Sequence, residues 1–259
     1  MKGIKGRVAI VTGGARSIGE AIVRELVAEG ASVGIADVLA EEGAALAAEL
    51  GDAVLFVPTD LQSDDSIQQC VDAVVGQFGR IDFLVNVAAV YLDKGFSSTR
   101  ADWAKVFDVN VFGGVMFLKA VYPHLVESGS GVVINFSSGS GNVAEAKRWL
   151  YPSTKAAIQQ LTRSQAIDLA KDQIRVNAIV PGMTWSAPLR SIAEAQPGAV
   201  EAIAKQVHMI GRPIEAEEVA RGVIFLCSDD ARAITGAMLA IDGGNGALGA
   251  LGMTELVPG

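Results

Sequence analysis

Residues Arg7 to Gly19 read RVAIVTGGARSIG, and this stretch decides the fold. Arg7 to Thr12 is a short β-branched run, and Gly13-Gly14 follows it as a turn. Apolar residues then recur at helical spacing at Ile18, Ile22, Val23 and Leu26. The stretch therefore predicts a strand, a tight turn and a helix. Such a glycine-rich turn can hold a pyrophosphate at the helix N-terminus, although an ordinary connection has the same composition.

The same alternation of strand and helix continues to the end of the chain. Strand-like segments cover 32–37, 53–58, 82–87, 131–137, 174–180 and 237–241, and helix-like segments cover 39–50, 66–78, 150–170 and 215–227. The strands are apolar throughout, which is typical of parallel strands covered on both faces. We therefore predict a Rossmann-like, doubly wound parallel α/β sheet of about seven strands, in a single domain spanning 1–259.

Composition excludes several classes of function. The net charge of -8 and the pI of about 4.8 disfavour nucleic acid, which needs a concentrated basic patch. The first apolar run, up to Thr12, is too short for a signal peptide or a membrane span. The cysteines, Cys70 and Cys227, lie in apolar helix-like stretches and form neither a disulfide framework nor a metal-ligand pattern. We expect a cytoplasmic protein with buried thiols.

Acidic residues end the second and third predicted strands, at the edge where doubly wound sheets bind ligands. If the ligand is a nicotinamide dinucleotide, Asp37 would bind the hydroxyls of its adenine ribose and would repel the 2′-phosphate that distinguishes NADP from NAD. Arg16 instead favours NADP, because its guanidinium could reach that phosphate. We expect Asp37 to prevail, because it faces the 2′ position while Arg16 can turn to solvent, and so the expected cofactor is NAD. Asp60-Leu61 would place a carboxylate near the adenine amino group.

A tyrosine and a lysine share one predicted helix face. Tyr151 and Lys155 are four residues apart, and a cation beside a phenol favours the phenolate and lowers its pKa. Such pairs are common on solvated helices, but Ser138 lies 13 residues earlier, where the strand 131–137 ends. The three together predict an acid/base site at the sheet edge.

With these motifs in this order, the chain resembles the short-chain dehydrogenases/reductases from about Gly6 to Gly244. The matching features are the Thr12 to Gly19 turn, Asp60, Asn86 with Ala88, Asn110, Ser138, Tyr151 with Lys155, Pro181-Gly182, Thr235-Gly236 and Asp242-Gly243-Gly244. The resemblance implies hydride transfer between a nicotinamide cofactor and a secondary alcohol or ketone. It also implies a homotetramer, assembled through the helices at 102–122 and 150–170.

The resemblance assigns roles position by position. Tyr151 would transfer the proton, Ser138 would bind the reacting oxygen, Lys155 would bind the nicotinamide ribose and lower the pKa of Tyr151, and Asn110 would hold a water. The implied cofactor-binding residues are Gly13, Arg16, Ser17, Ile18, Asp37, Asp60, Leu61, Asn86, Ala88, Tyr151, Lys155, Pro181, Gly182 and Thr184.

Two positions depart from the family pattern. Ser17 stands where the second glycine of the turn is usual, which adds bulk near the pyrophosphate but also a hydroxyl donor. Asn86-Val87-Ala88-Ala89 replaces the usual Asn-Asn-Ala-Gly, and this could remodel the pocket floor. The four catalytic positions are intact.

The substrate end is less determined. Residues 183–206 are expected to form a lid over the substrate. The candidate substrate residues are Ser138, Ser140, Asn142, Trp149 and Trp185, with Tyr91 a further aromatic candidate by position. Ordinary packing is the alternative for each aromatic residue. Lys147-Arg148 either holds a carboxylate or sulfonate or forms a solvated turn, and we expect His208 to be structural. The Gly-rich tail, 243–259, either caps an interface or lies on the surface.

The leading hypothesis is thus an NAD-dependent dehydrogenase for a small secondary alcohol, which could be cyclic, a sugar or a polyol. One alternative is an NADPH-dependent ketoacyl-thioester reductase, against which Asp37 argues. A different class is a non-catalytic dinucleotide-sensing protein. The intact set of Asn110, Ser138, Tyr151 and Lys155 favours an enzyme, because a binding protein would have little reason to keep all four.

Overall fold

Seven parallel strands form one sheet in the computed structural model, which describes residues 1–249. The strands are β1 (Val8–Thr12), β2 (Ser32–Asp37), β3 (Val54–Pro58), β4 (Phe83–Asn86), β5 (Val132–Phe136), β6 (Arg175–Pro181) and β7 (Met238–Ile241). Their order is β3-β2-β1-β4-β5-β6-β7. The order reverses between β1 and β4, and ligands of such sheets bind at this switch point. The predicted Rossmann-like doubly wound sheet is confirmed.

Helices cover both faces of the sheet. They are α1 (Ser17–Ala28), α2 (Ala40–Leu50), α3 (Asp64–Phe78), α4 (Arg100–Phe107), α5 (Gly113–Ser128), α6 (Leu150–Leu169), α7 (Ala187–Ala195), α8 (Ala199–Val207) and α9 (Ala216–Cys227). One apolar core lies beneath α1, α2 and α9, and a second lies beneath α3, α5 and α6. The strands are buried on both faces, which explains their continuous apolar sequence.

The helix expected at 102–122 is instead divided into α4, a π-helical turn and α5, which together run from Arg100 to Ser128. The other predicted element boundaries lie within two residues of the observed ones. The largest shift is at α3, which begins at Asp64 because Ser63 caps it by accepting the N–H of Ser66 at 3.2 Å. The segment expected to be a lid contains two helices, α7 and α8, which the sequence analysis did not predict. The tail is described only to residue 249, so the interpretation of 250–259 lies outside the described residues.

The helical segment Arg100–Ser128 is apolar enough and long enough, by composition and length, to cross a membrane. In this fold it consists of α4, a π-helical turn (Asp108–Phe112) and α5. Phe117, Val121 and Leu125 of α5 are completely buried against the sheet. The apolar composition of this segment therefore reflects its place in the second core.

Both cysteines are buried in the two cores and are unpaired. Burial raises the pKa of the Cys70 thiol to about 11 and that of Cys227 to about 12. Neither thiol is therefore a reactive thiolate at neutral pH.

The first turn of α1 is strained at Ser17, which has a φ of 57°. This left-handed conformation costs a residue with a Cβ atom about 1–2 kcal/mol, whereas glycine adopts it freely. The departure from the family pattern at this position therefore leaves a backbone penalty.

We expect Ser17→Gly to raise the free energy of unfolding by about 1 kcal/mol, because it removes this penalty. Chemical denaturation of the purified protein measures the change. Ser17→Ala keeps the Cβ atom and is the matched control, which should show no gain. An equal gain with alanine would mean that the hydroxyl, not the backbone, is the source of strain.

Candidate active site

The glycine-rich turn packs against the segment that follows β4. Gly13 has a φ of 66°, and a Cβ atom there would lie 2.8 Å from Cα of Ala88. Thr12 Oγ1 accepts the N–H groups of Val87 and Ala88 at 3.1 and 3.3 Å. The structure thus brings the turn and the Asn86–Ala88 segment together, and the backbone around Gly13 leaves no room for a side chain. This narrow cradle at the start of α1 fits a dinucleotide pyrophosphate.

Asp37 is held against the same turn. Its carboxylate is 8% exposed and accepts the N–H of Ala15 at 3.0 Å and that of Leu39 at 3.1 Å. Arg16, by contrast, is exposed. The carboxylate at the end of β2 is thus held by backbone N–H groups, whereas the guanidinium of Arg16 faces solvent.

Asp60-Leu61, the third segment expected to bind the cofactor, consists of an exposed and a buried residue. Asp60 is exposed and accepts the N–H of Gln62 at 3.0 Å. Leu61 is 9% exposed and packs against Gly113, where an added Cβ atom would approach it to 2.7 Å. Leu61 therefore joins the end of β3 to the start of α5 beneath the site.

An asparagine network lies under the centre of the site. Asn86 and Asn135 are register partners on β4 and β5, and Asn86 Nδ2 donates to Asn135 Oδ1 at 3.1 Å. Asn135 Nδ2 donates in turn to Thr162 and Gln165 of α6 at 3.0 and 2.9 Å. Asn86 Oδ1 is buried without a hydrogen-bond partner within residues 1–249. It borders a cavity of about 20 Å³, which has room for one water.

Tyr151 and Lys155 occupy successive turns of α6, and both are buried. Tyr151 is 7% exposed and Lys155 is 3% exposed. The Lys155 ammonium lies 5.3 Å from the centroid of the Tyr151 ring and donates to the carbonyl oxygen of Phe136 at 2.7 Å. Burial lowers the pKa of Lys155 to about 7. The ammonium is therefore fixed between the tyrosine ring and the end of β5.

The pKa of Tyr151 differs from the sequence-based expectation. Burial raises it well above the ordinary value, and the opposing effects of the Ser138 hydrogen bond and the Arg148 cation are smaller. We expected Lys155 to bring this pKa down, but in the structure the pKa of Tyr151 is raised, because burial and the neighbouring Tyr91 hydroxyl outweigh the effects that lower it.

Ser138 begins a polar chain that returns to the tyrosine. Its Oγ accepts the N–H of Ser140 at 3.2 Å and lies 3.3 Å from Ser140 Oγ. Ser140 Oγ donates to Glu145 at 2.6 Å, and Glu145 forms an ion pair with Arg148. The Arg148 guanidinium lies 5.2 Å from the centroid of the Tyr151 ring. In the basic pair Lys147-Arg148, Arg148 thus contacts the Tyr151 ring, whereas Lys147 is exposed.

Asn110 lies in the π-helical turn and is 6% exposed. Its side-chain amide accepts the N–H of Val90 at 2.8 Å and donates to the carbonyl oxygen of Val90 at 3.1 Å. A weaker contact of 3.4 Å reaches Thr154 on α6. The side chain therefore anchors the loop after β4 to helix α6.

Two residues of that loop reach the start of α6. The Tyr91 ring stacks on the Tyr151 ring with centroids 4.5 Å apart, and the two hydroxyl oxygens are 3.3 Å apart. Asp93 accepts three backbone N–H groups at the start of α6. Sequence reasoning missed Asp93, and the only signal was that Trp149-Leu150-Tyr151-Pro152 contains no Ser, Thr, Asp or Asn to cap the helix.

The segment expected to contact the nicotinamide begins where β6 ends at Pro181. Thr184 is 8% exposed and donates to the carbonyl oxygen of Gly182 at 3.1 Å. His208 is buried, accepts the N–H of Met183 at 3.1 Å through Nε2, and contacts the Arg212 carbonyl at 2.7 Å through Nδ1. These contacts agree with the structural role expected for His208.

The substrate candidates are spread around the opening. Ser138 and Ser140 lie in the polar chain, whereas Asn142 is exposed. Trp149 meets Phe96 edge-on at 5.8 Å, and Trp185 lies under the Arg190 guanidinium at 5.4 Å. Each tryptophan candidate thus contacts one neighbouring side chain, and Trp149 is also 48% exposed.

Comparison with known proteins identifies the family. A family model described as enoyl-(acyl carrier protein) reductase matches residues 13–245. The 3-alpha-(or 20-beta)-hydroxysteroid dehydrogenase of Mycobacterium tuberculosis is 38% identical, with 92% of this chain and 89% of the relative covered. The chain belongs to the short-chain dehydrogenase/reductase family. It is therefore an oxidoreductase of alcohols and ketones that binds a nicotinamide dinucleotide.

Two further similarities support this assignment. The cis-4-hydroxycyclohexanecarboxylate dehydrogenase of Sinomonas cyclohexanicum is 37% identical, with 92% of this chain and 96% of the relative covered. The crystal structure of a 3-ketoacyl-(acyl-carrier-protein) reductase from Brucella melitensis, complexed with NADH, superposes with a TM-score of 0.86 at 28% identity. The superposition covers 94% of this chain and 99% of the reductase chain.

The buried lysine gives this short-chain dehydrogenase/reductase a pH-dependent stability. The pKa of Lys155 is about 7 in the folded protein and near 10.5 in the unfolded chain. Between these values the unfolded chain keeps a proton that the folded protein has released, so the contribution of Lys155 to stability rises with pH.

We expect Lys155→Met to gain stability relative to wild type below about pH 7, and we expect this relative gain to shrink by a few kcal/mol as the pH rises toward 10. Denaturant unfolding at several pH values measures the difference. The exposed Lys171→Met is the control and should give a difference that does not vary with pH. A pH-independent difference for Lys155→Met would contradict the burial of its charge.

Proposed function

We propose that this enzyme transfers a hydride between NAD(H) and a cyclic secondary alcohol or its ketone. The observation that carries the proposal is the Tyr151 phenol, buried between Lys155, Ser138 and Arg148 at the edge of the sheet where the glycine-rich turn lies. A buried phenol with such neighbours is suited to proton transfer at a reacting oxygen.

We assign the roles as follows. Tyr151 gives a proton to the carbonyl oxygen during reduction and takes it from the hydroxyl during oxidation. Ser138 binds the same oxygen, and Lys155 binds the ribose next to the nicotinamide. The bound nicotinamide supplies or accepts the hydride. Asn110 acts by holding Val90, because its side-chain amide is hydrogen-bonded to the backbone of Val90. The water assigned to Asn110 would therefore bind the backbone of Asn110.

Cofactor binding belongs to the residues at the strand ends. The turn at Gly13, Arg16, Ser17 and Ile18 would hold the pyrophosphate, and Pro181, Gly182 and Thr184 would bound the nicotinamide. Asp60, Leu61, Asn86 and Ala88 would line the adenine and central part. Asp37 supports NAD over NADP, because its fixed and nearly buried carboxylate would repel a 2′-phosphate.

We expect Asp37→Asn to lower the ratio of kcat/KM with NAD to kcat/KM with NADP by about 10- to 100-fold. The substitution removes the repulsion of the 2′-phosphate and a charged hydrogen bond to the ribose. Asparagine keeps an oxygen for one of the two backbone N–H groups, those of Ala15 and Leu39, that Asp37 accepts. Steady-state kinetics with NAD and NADP give the ratio. An unchanged ratio would mean that the ribose is recognised by other residues.

A cyclic substrate is supported by the surroundings of the tyrosine. Tyr91, Phe96 and Trp149 are 64%, 88% and 48% exposed and lie beside the start of α6. Exposed aromatic side chains next to a catalytic group favour an apolar ring as ligand. Two of the relatives described above are named as dehydrogenases of ring alcohols, a hydroxysteroid and a hydroxycyclohexanecarboxylate.

We expect Tyr151→Phe to bind NADH normally and to lower kcat by about 10²- to 10⁴-fold, because it removes the proton-transferring hydroxyl. The assay follows nicotinamide absorbance with a panel of cyclic alcohols, polyols and hydroxy acids. Tyr91→Phe is the matched control, since it removes the neighbouring hydroxyl and should cost far less. If Tyr91→Phe lost turnover and Tyr151→Phe kept it, Tyr91 and not Tyr151 would be the proton-transferring residue.

The same panel separates the alternatives. The similar Brucella melitensis structure is a ketoacyl reductase complexed with NADH, which supports a ketoacyl thioester as a second candidate substrate. Turnover of ketoacyl thioesters but not cyclic ketones would favour that reaction. Binding of NADH without turnover of any compound would favour the dinucleotide-sensing role.

We further propose a cytoplasmic homotetramer in which 183–206 closes over the substrate. Assembly is supported by apolar side chains on the π-helical turn before α5 and on α6, where Phe112 is 51% and Ile167 is 76% exposed. The lid is supported by its position directly after Pro181, at the nicotinamide end of the site.

A further inference from the structure

The catalytic helix α6 has an unusual start. Its N-cap residue, Trp149, has a side chain that cannot accept the free N–H groups of the first turn. The carboxylate of Asp93 takes that place, accepting the N–H groups of Trp149, Leu150 and Tyr151 at 2.8, 2.9 and 3.0 Å. The cap of this helix therefore comes from a residue 58 positions before Tyr151 in the chain.

The residues after Asp93 fit the same helix start closely. Gly95 donates its N–H to Asp93 at 3.2 Å, and a Cβ atom on Gly95 would lie 3.0 Å from the Lys147 backbone. Phe96 packs edge-on against Trp149. Neighbouring residues of one loop thus contact the segment that leads into Tyr151.

The residues before Asp93 are held equally firmly. Val90 is fixed at both its N–H and its carbonyl by Asn110, and Tyr91 stacks on Tyr151. We call the segment 90–96 the clamp loop. It touches the Tyr151 ring through Tyr91 and the Tyr151 backbone through Asp93.

We propose that Asp93 is a positioning residue that, through the clamp loop, fixes the Tyr151 hydroxyl at the distance that proton transfer requires. Asp93 contacts only backbone groups, so it acts through Tyr151. Hydrogen bonds from N–H groups to a carboxylate are stronger than those between neutral groups. A displacement of about 1 Å in a reacting group can slow a reaction about 100-fold.

The charge of Asp93 is well suited to this position. Partial burial raises the pKa of the carboxyl, but the four backbone donors together outweigh burial and hold the pKa below its ordinary value. Asp93 is therefore ionised at neutral pH, where its charge also interacts favourably with the N-terminal end of the α6 dipole.

The chain offers a matched control in Asp102. This carboxylate caps α4 by accepting the N–H of Thr99 at 2.9 Å, in a capping box, and pairs with Lys94 at 3.1 Å. Helix α4 carries none of the proposed catalytic residues. Lys94 belongs to the clamp loop, but its side chain is 59% exposed, so this ion pair contributes little to holding the loop. Asp93→Asn and Asp102→Asn thus remove charges from two helix starts, only one of which bears Tyr151.

The test compares both variants with the wild type, and its kinetic part rests on the proposed function. We expect Asp93→Asn to lower kcat by about 10- to 100-fold with an unchanged Kd for NADH, and to increase the solvent deuterium isotope effect on kcat because proton transfer becomes slower. Asp102→Asn should leave both quantities near wild type. Wild-type kcat and isotope effect in Asp93→Asn would overturn the proposal.

Amide hydrogen exchange provides a readout that does not need a substrate. Exchange should rise at residues 149–151 in Asp93→Asn and at the start of α4 in Asp102→Asn. Unchanged exchange at 149–151 would also overturn the proposal. An inactive wild type would refute the proposed reaction alone, since the exchange result still decides the anchoring role of Asp93. If Asp93→Asn does not fold, Asp93→Glu replaces it, because glutamate keeps the charge but shifts it by one methylene. We expect Asp93→Glu to fold and to have a reduced kcat. Full activity of Asp93→Glu would contradict the geometry that the proposal requires.

Discussion

The proposed catalytic site depends on the burial of one ammonium group. Lys155 is almost inaccessible to water, and its hydrogen bond within the described chain goes to the carbonyl oxygen of Phe136. Burying a charge is among the costliest events in folding, and here it lowers the pKa of the lysine to about 7. The surrounding elements are arranged so that this charge remains directly beneath the Tyr151 ring.

The sheet supplies the frame for that arrangement. The parallel register of β4 and β5 places Asn86 beside Asn135, and the hydrogen bonds of Asn135 continue to Thr162 and Gln165 on α6. The helix that carries Tyr151 is thereby tied to the sheet through polar groups within an apolar core. Such contacts are directional, so they fix the rotation of α6 more closely than apolar packing alone. The π-helical turn at Asn110 ties the loop after β4 to the same helix.

The sequence predicted the fold well because the decisive signals are local. The second strand was predicted as observed, from Ser32 to Asp37, because an apolar run ends there at a carboxylate. The start of α6 at Leu150 was also predicted. The sequence did not reveal Asp93, because its partners lie 56 to 58 residues away and only folding brings them together. The spacing of Tyr151 and Lys155 likewise gives a shared face but not the burial that controls both pKa values.

The most direct test of the central claim is a single-turnover measurement of hydride transfer. Wild-type enzyme is mixed with less than one equivalent of NADH, and the nicotinamide absorbance is followed after a cyclic ketone is added. The account predicts that the absorbance of bound NADH decays as the ketone is reduced, and that the corresponding alcohol with NAD restores it. Bound NADH that persists with every cyclic ketone tested would contradict the assignment of this site to cyclic alcohols.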